Sequence, residues 1–292
     1  MRFDISALLA HLDLELLEVN IFRGASYDIG SGRVFGGQVL AQALVAAGRT
    51  VDPARTAHSL HSYFILPGDL AAPIVYFVER LRDGSSFTTR RVTAIQHGRA
   101  IFEMSASFHV AEPGVEHQAE MPDVPPPEEL TPDLERARAA AELIPEAARA
   151  RFTEERPFDV RTVDPGDVLR PRKRPPLRFM WLRTVGRVPA DDALPHQSLV
   201  AYASDYGLLG AAFLPHALVF GMPGLQAATL DHAIWFHRPF RADDWLLYAT
   251  DSPSASGARG FARGGIYARD GRLVASVAQE GLMRFRPTDG EA

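Results

Sequence analysis

Landmarks in this sequence recur at a nearly constant separation. Pro67 and Pro239 lie 172 positions apart, and each follows an aromatic run, Tyr63-Phe64 and Trp235-Phe236. Tyr76 and Tyr248 sit in matching apolar stretches, again 172 apart, and Gly98-Arg99 recurs as Gly271-Arg272 at 173. One such coincidence carries little weight, but several in the same order signal an internal duplication. A duplicated chain must build one design twice.

The hydrophobic pattern says what that design is. A helical stretch comes first in each copy, at 37–47 and at about 197–211. Strands follow, near 58–66, 74–81, 88–96 and 100–110 in the first copy. In the second they run near 228–237, 245–251, 259–268 and 273–285, with extra strands at 158–163 and 177–185. The turns Gln96-His97-Gly98-Arg99 and Arg269-Asp270-Gly271-Arg272 place a glycine where tight hairpins require positive φ. The expected fold class is α+β, one helix with a long antiparallel sheet, twice. Between the copies the composition changes. From Glu112 to about Leu130 the chain is rich in proline and acids, including Pro125-Pro126-Pro127, and proline cannot donate to a sheet or a helix interior. The stretch 131–152 reads as a surface helix. The expected division is 1–111 for the N-terminal half, 112–152 for the connection and 153–292 for the C-terminal half.

Composition removes several classes of function. At 292 residues and 46% hydrophobic, the chain can bury a core in each half, yet no apolar run approaches the roughly 20 residues of a membrane-spanning helix. The absence of cysteine excludes disulfides, thiolate metal sites and a cysteine nucleophile. A net charge of −5 argues against a general nucleic-acid binder. Met1-Arg2-Phe3-Asp4-Ile5 lacks a signal-like apolar run and Asp289-Gly290-Glu291-Ala292 lacks a Ser-Lys-Leu address, so the expected location is the cytoplasm.

At this level of detail the chain resembles a known family. Gly36-Gly37-Gln38-Val39-Leu40-Ala41-Gln42-Ala43 looks like the first-half helix of the acyl-CoA thioesterase II family. So do His58-Ser59-Leu60-His61-Ser62-Tyr63-Phe64 and Pro67-Gly68-Asp69. In the second half Ala203-Ser204-Asp205, the run from Leu230 to Phe240, Ser254-Ala255-Ser256 and Gln279-Glu280-Gly281 match its pattern. The similarity covers nearly everything outside the proline-rich link. It implies a double hotdog, two tandem halves in which a long antiparallel sheet wraps around a helix. It also implies hydrolysis of fatty acyl-CoA with no metal or other cofactor.

The duplication supplies an internal control on where the chemistry lies. Ala275, Val277, Gln279, Gly281 and Met283, with Leu273, share one face of the last strand by the two-residue period, and Gln279 interrupts that otherwise apolar face. Its counterpart at offset 173 is Ala106, on the face carrying Phe102, Met104 and Phe108. Thr229 corresponds to Ala57 at offset 172. Asp205 stands late in an apolar helix whose first-half equivalent, around Ala43–Ala47, contains no acid. Buried polar groups without partners cost about 1–3 kcal/mol each, so stability alone does not favour all three. The resemblance implies that Asp205, Thr229 and Gln279 hold the attacking water, with Asp205 as general base. A thioester asks for little more, because a thiol of pKa about 8.5 leaves without a strong acid. The carbonyl still needs donors as it becomes an oxyanion, expected from a backbone N–H near the second-half helix or the loop before it.

Other residues are candidates for substrate contacts. His58 stands in a matched motif and is a candidate to face the site. Arg90, Arg91, Arg259, Arg263 and the cluster from Arg170 to Arg174 are candidates for the coenzyme A phosphates, since guanidinium forks suit phosphate. Asp231, His232 and His237 are poorly spaced for a metal, because Asp231 and His237 share a strand face from which His232 points away. The stretch from Gly30 to Gly37 lacks nucleotide-loop spacing, and no Gly-x-Ser-x-Gly motif supports a serine hydrolase. Two rivals remain: a hotdog hydratase or dehydratase acting on the same thioesters, and a non-catalytic acyl-CoA-binding protein. Two interacting chains, or more, are expected by analogy with other hotdog proteins.

Overall fold

The computed structural model describes residues 4–30, 32–144, 146–167, 169–189 and 192–285. Residues 1–3 and 286–292, on which the expectation about compartment rests, lie outside them. In the first half α1 (Ile5–Leu12), β1 (Glu15–Glu18) and β2 (Ile21–Gly24) precede α2 (Gly36–Gly48). Then come β3 (Arg55–Phe64), β4 (Ile74–Asp83), β5 (Phe87–Gln96) and β6 (Arg99–Val110). The connection contains α3 (Asp133–Ala139) and α4 (Glu146–Thr153). The second half has β7 (Phe158–Thr162), β8 (Leu177–Thr184), α5 (Ala193–Ser204), α6 (Gly210–Phe213), β9 (Leu225–Thr229) and β10 (Asp231–Phe236). It ends with β11 (Leu246–Ser256), β12 (Arg259–Ala268) and β13 (Leu273–Phe285).

All of the strands join one 13-stranded sheet in the order β1-β2-β4-β5-β6-β3-β10-β13-β12-β11-β8-β7, with β9 paired to β13. Read inward from either edge, equivalent strands appear in the same sequence. The two halves meet where β3 pairs antiparallel with β10, from Tyr63 opposite Asp231 to Ser59 opposite Trp235. Helix α2 is apolar or small apart from Gln38 and Gln42, whose amides are buried and hydrogen-bonded, to Tyr27 N–H and to the His11 carbonyl and Tyr76 Oη, and it is surrounded by protein. Residues Gly37 to Ala47 are all buried. The two central helices, α2 and α5, pack on each other inside the curved sheet.

The proline-rich connection crosses the outer face of the second half's sheet. There Trp181, Trp245, Leu247 and Tyr267 form a separate apolar cluster, with Met121, Val124 and Leu130 packed against it. The Trp181 indole N–H donates to the Pro125 carbonyl at 2.9 Å, satisfying a buried donor with a residue that has no N–H of its own.

Four expectations are corrected. The second central helix stops at Ser204 instead of continuing to 211, because Gly207 turns the chain at φ +71° and Tyr248 Oη takes the Ser204 carbonyl. The stretch 131–152 forms α3 and α4 with a 3-10 turn at Ala141–Leu143 between them, instead of one helix. The strand expected at 228–237 is broken at Leu230 into β9 and β10. Leu273 packs with the outer cluster while Val274 and Ala275 enter the core, since the β12–β13 register shifts between Ile266 and Tyr267.

Candidate active site

A matched pair of bulges decides which side chains face inward. In the first half β3 pairs with β6 through Ala57 opposite Phe108 and then Ser59 opposite Ser107, leaving His58 as the extra residue. In the second half Thr229 lies opposite Gly281 and Ala233 opposite Ala278, again with one extra residue on the β9–β10 side. A bulge lets residues three apart share a face. Ala57 and Leu60 therefore both point at the first core, and Thr229 and His232 both point inward from the second. Leu60 pairs with Ala106, and the same offsets carry this pair onto His232 and Gln279.

The inward groups of the second half meet in one cluster. Asp205 caps the C-terminus of α5. Its Oδ1 accepts from Thr229 Oγ1 and from Gln279 Nε2, both at 3.3 Å, and Gln279 Nε2 also donates to Thr229 Oγ1 at 2.7 Å. Asp205 Oδ2 accepts the backbone N–H of Gly37 at 3.1 Å. This last contact crosses the molecule: the N-terminus of the first half's helix closes the site of the second half. Glycine is needed there. A Cβ on Gly36 would stand 2.7 Å from Asp205 Oδ2, and one on Gly37 would stand 2.3 Å from the Tyr202 carbonyl oxygen. The run from Gly30 to Gly37, unlike a nucleotide loop in spacing, thus ends as the close approach of a helix to a carboxylate.

Burial pushes the Asp205 carboxyl up to about 6; hydrogen bonds from Thr229, Gly37 and Gln279 oppose that rise. The site holds a carboxylate that ionises close to neutrality, beside a hydroxyl, a primary amide and the N-terminus of α2. The start of a helix carries a partial positive charge; here the Gly37 N–H is given to Asp205 and those of Gln38 and Val39 to the Phe35 carbonyl.

Two side chains with no role expected from the sequence, His232 and Ser204, complete the cluster. His232 Nδ1 lies 3.2 Å from Gln279 Oε1, and its Nε2 lies 2.9 Å from Ser204 Oγ. The signal was present in the sequence, since offset 172 places Leu60 against His232 just as it places Ala57 against Thr229.

The candidates for substrate contacts are scattered. His58 is the bulge residue of β3. Its Nε2 bonds Ser107 Oγ at 2.8 Å and its ring packs against Phe87 and His109, outside the Asp205 cluster. Arg90 does not serve as expected: its side chain is 1% exposed, and its guanidinium donates to Thr50 Oγ1, the carbonyls of Thr50, Arg82 and Thr89, and Asp83. Those bonds use all five of its N–H donors, so none remains for a phosphate. Arg91, Arg259 and Arg263 are exposed, each in a single surface ion pair with Glu79, Glu280 and Asp251 respectively. In the 170–174 cluster Arg174 is tied to Asp164. Asp231 accepts the Glu280 N–H and His237 bonds Ser276, and no group of three metal-ligating side chains occurs among the described residues. No described helix is long and apolar enough to cross a membrane.

Fold and cluster define a duplicated helix-in-sheet protein whose polar site lies in one half and borrows a helix terminus from the other. Comparison with known proteins gives this class a family. A family model described as acyl-CoA thioesterase matches residues 147–282, and one described as acyl-CoA thioesterase N-terminal domain matches 25–109. Acyl-CoA thioesterase 2 of Haemophilus influenzae is 44% identical over 97% of this chain and 99% of its own. Human acyl-coenzyme A thioesterase 8 is 41% identical over 96% and 90%. Among solved structures, an acyl-CoA thioesterase II, TesB2, from Mycobacterium marinum superposes with a TM-score of 0.78 at 45% identity, covering 96% of this chain and 99% of that one. A hot dog fold protein from Alicyclobacillus acidocaldarius, at 20% identity and a TM-score of 0.75, shares the fold. The chain belongs to the acyl-CoA thioesterase family.

Proposed function

We propose that this protein hydrolyses fatty acyl-CoA to the free acid and coenzyme A at a single site per chain, with Asp205 as general base and Thr229 and Gln279 holding the attacking water. The observation that carries this reading is the convergence of these three side chains on one another, where the other half places Ala57 and Ala106. Both 3.3 Å contacts to Asp205 are long for hydrogen bonds, so a water can replace them at little cost. Such a water donates to Asp205 and accepts from Gln279 or Thr229. As it attacks the thioester carbon its proton passes to Asp205. The carbonyl oxygen becomes an oxyanion near the N-terminal end of α2, where the partial positive charge of the helix end favours it. Collapse expels the thiolate, and Asp205 returns its proton to solvent or to the leaving sulfur.

The cluster has a single titratable group able to change charge near neutrality, which favours hydrolysis over hydration. Adding water across a double bond asks for an acid and a base on the two sides of the bond. For the coenzyme A phosphates the exposed cations are the partners, Arg259 first. It adjoins Gly260, which lies in register with Gly281 and so with Thr229. Its ion pair with Glu280 is a surface one, of about 0–1 kcal/mol, which a phosphate can displace.

The test is thiol release from acyl-CoAs of graded chain length, run beside an absorbance assay for enoyl-CoA hydration. Asp205→Asn should lower kcat about 10²-fold or more with an unchanged circular dichroism spectrum. Normal turnover by a folded Asp205→Asn protein removes the assignment. Hydration without thiol release identifies the hydratase instead, and binding without turnover identifies a sensor.

A further inference from the structure

His232 is 1% exposed, and Leu60, its counterpart in the other half, is fully buried. Packing at this position is satisfied by leucine, so the imidazole must meet a different demand. Both ring nitrogens and the backbone carbonyl are engaged: Nε2 with Ser204 Oγ, Nδ1 with Gln279 Oε1, and the carbonyl with Ser62 Oγ at 2.8 Å from across the joint between the halves. The hydrogen-bond directions can be assigned by elimination. Gln279 Nε2 must be the amide nitrogen because it donates to the Asp205 carboxylate, so Gln279 Oε1 accepts and His232 Nδ1 carries a proton. In neutral imidazole Nε2 is then the acceptor, and the Ser204 hydroxyl donates to it instead of to the Ala201 carbonyl, also within reach at 2.9 Å. Burial lowers the His232 pKa to about 4, which keeps the ring neutral and in that one tautomer at ordinary pH.

An amide side chain is nearly symmetric in shape, and its two ends differ only in what they can donate. Turned over, Gln279 would present an oxygen to Asp205 Oδ1 and Thr229 Oγ1, repelling the carboxylate and losing the donor that a water needs. Something must fix which end faces inward. We propose that His232, seated by Ser204, is a positioning residue for the hydrolysis, its Nδ1–H locking the Gln279 amide with the nitrogen toward Asp205 and Thr229. This rests on the reading of Gln279 as a water-holding group and adds to it the residue that sets its orientation.

Three replacements separate positioning from packing. Asparagine can place an N–H near the Nδ1 position, glutamine reaches only the Nε2 position, and leucine is what the other half uses. His232→Leu and His232→Gln should each lower kcat about tenfold or more while KM stays within about twofold, and His232→Asn should restore kcat to within about threefold of the parent. In a Gln279→Ala background His232→Leu should add no further loss, because the histidine acts through the glutamine. A merely structural role predicts a different pattern, with Asn and Gln alike and losses that follow thermal stability. Parental kcat in folded His232→Leu and His232→Gln, beside a defective Gln279→Ala, overturns the proposal. Parental kcat in Gln279→Ala instead removes the underlying reading of the site. If His232→Leu does not fold, the comparison of Asn with Gln decides alone.

Discussion

The carboxyl of Asp205 should write its displaced pKa into both the rate and the stability. At a pKa of about 6 it is ionised about ten to one at pH 7 and about one to ten at pH 5. If the ionised form is the general base, kcat/KM falls roughly tenfold across that interval, whereas an ordinary aspartate of pKa about 3.9 would leave the rate almost flat there. The three hydrogen bonds into this carboxylate hold its pKa below where burial alone would put it, so Gln279→Ala and Thr229→Ala should move the limb to higher pH as well as lower its plateau. Stability moves in the opposite sense to the rate. A carboxyl whose pKa is raised in the folded state keeps its proton on folding between about pH 4 and 6, so the folded state binds more protons there and loses stability as pH rises. The shift from 3.8 to about 6 corresponds to at most about 3 kcal/mol, lost by pH 7 and restored in acid. Asp205→Asn does not titrate, so the wild type should lose up to that amount relative to it between pH 4 and pH 7, measured by denaturant unfolding at each pH. Thiol-release profiles over the same range supply the kinetic half. A rate that stays flat from pH 7 to pH 5, in protein shown to be folded at both, refutes the assignment of Asp205 as base.

Two further outcomes follow from the geometry. Gly37→Ala drives a Cβ against the Tyr202 carbonyl oxygen, a backbone atom that cannot swing aside, so α2 must shift away from Asp205. Thiol release should fall about tenfold or more, with Gly114→Ala, where the added methyl meets nothing, as the control. Arg90→Met should strand the buried acceptors of Thr50, Arg82 and Thr89 and destabilise the fold by about 3 kcal/mol or more in thermal or denaturant unfolding. It should leave KM for acyl-CoA within about twofold, and a selective rise in KM would return Arg90 to the substrate site.

What the sequence made legible, and what it hid, divides along a physical line. Strands with alternating burial were readable because each one answers to a local period: β12 and β13 run over 259–268 and 273–285 as expected. Breaks in that period were not. The bulges at His58 and beyond Thr229 depend on how two strands are registered, which neither strand carries alone. The end of α5 at Ser204 was missed because Leu208 and Leu209 continue the apolar pattern, while the stop comes from Gly207 and from a tyrosine 44 positions away. Arg90 was misread for the same reason: next to Arg91 in an apparently polar strand it looks like surface, but its partners lie on the turn after α2 and on the neighbouring strand β4. Such pairings belong to tertiary structure.

The duplication lets one half hold a buried polar cluster while the other keeps the same shape with apolar residues. Both halves have the same bulge, the same inward rows and a central helix against them. At these positions the first half holds Ala57, Leu60 and Ala106, buried and apolar. The second holds Thr229, His232 and Gln279, which are acceptable there only as a set. Each one alone would be a buried polar group with an unmet partner, whereas together with Asp205 and Ser204 they satisfy one another. The first half is still part of the site. The helix whose N-terminus reaches Asp205 is α2, and the hydroxyl that pins the His232 carbonyl is Ser62 on β3. A second half folded without the first would lack both contacts, so the polar cluster depends on the joint between the copies.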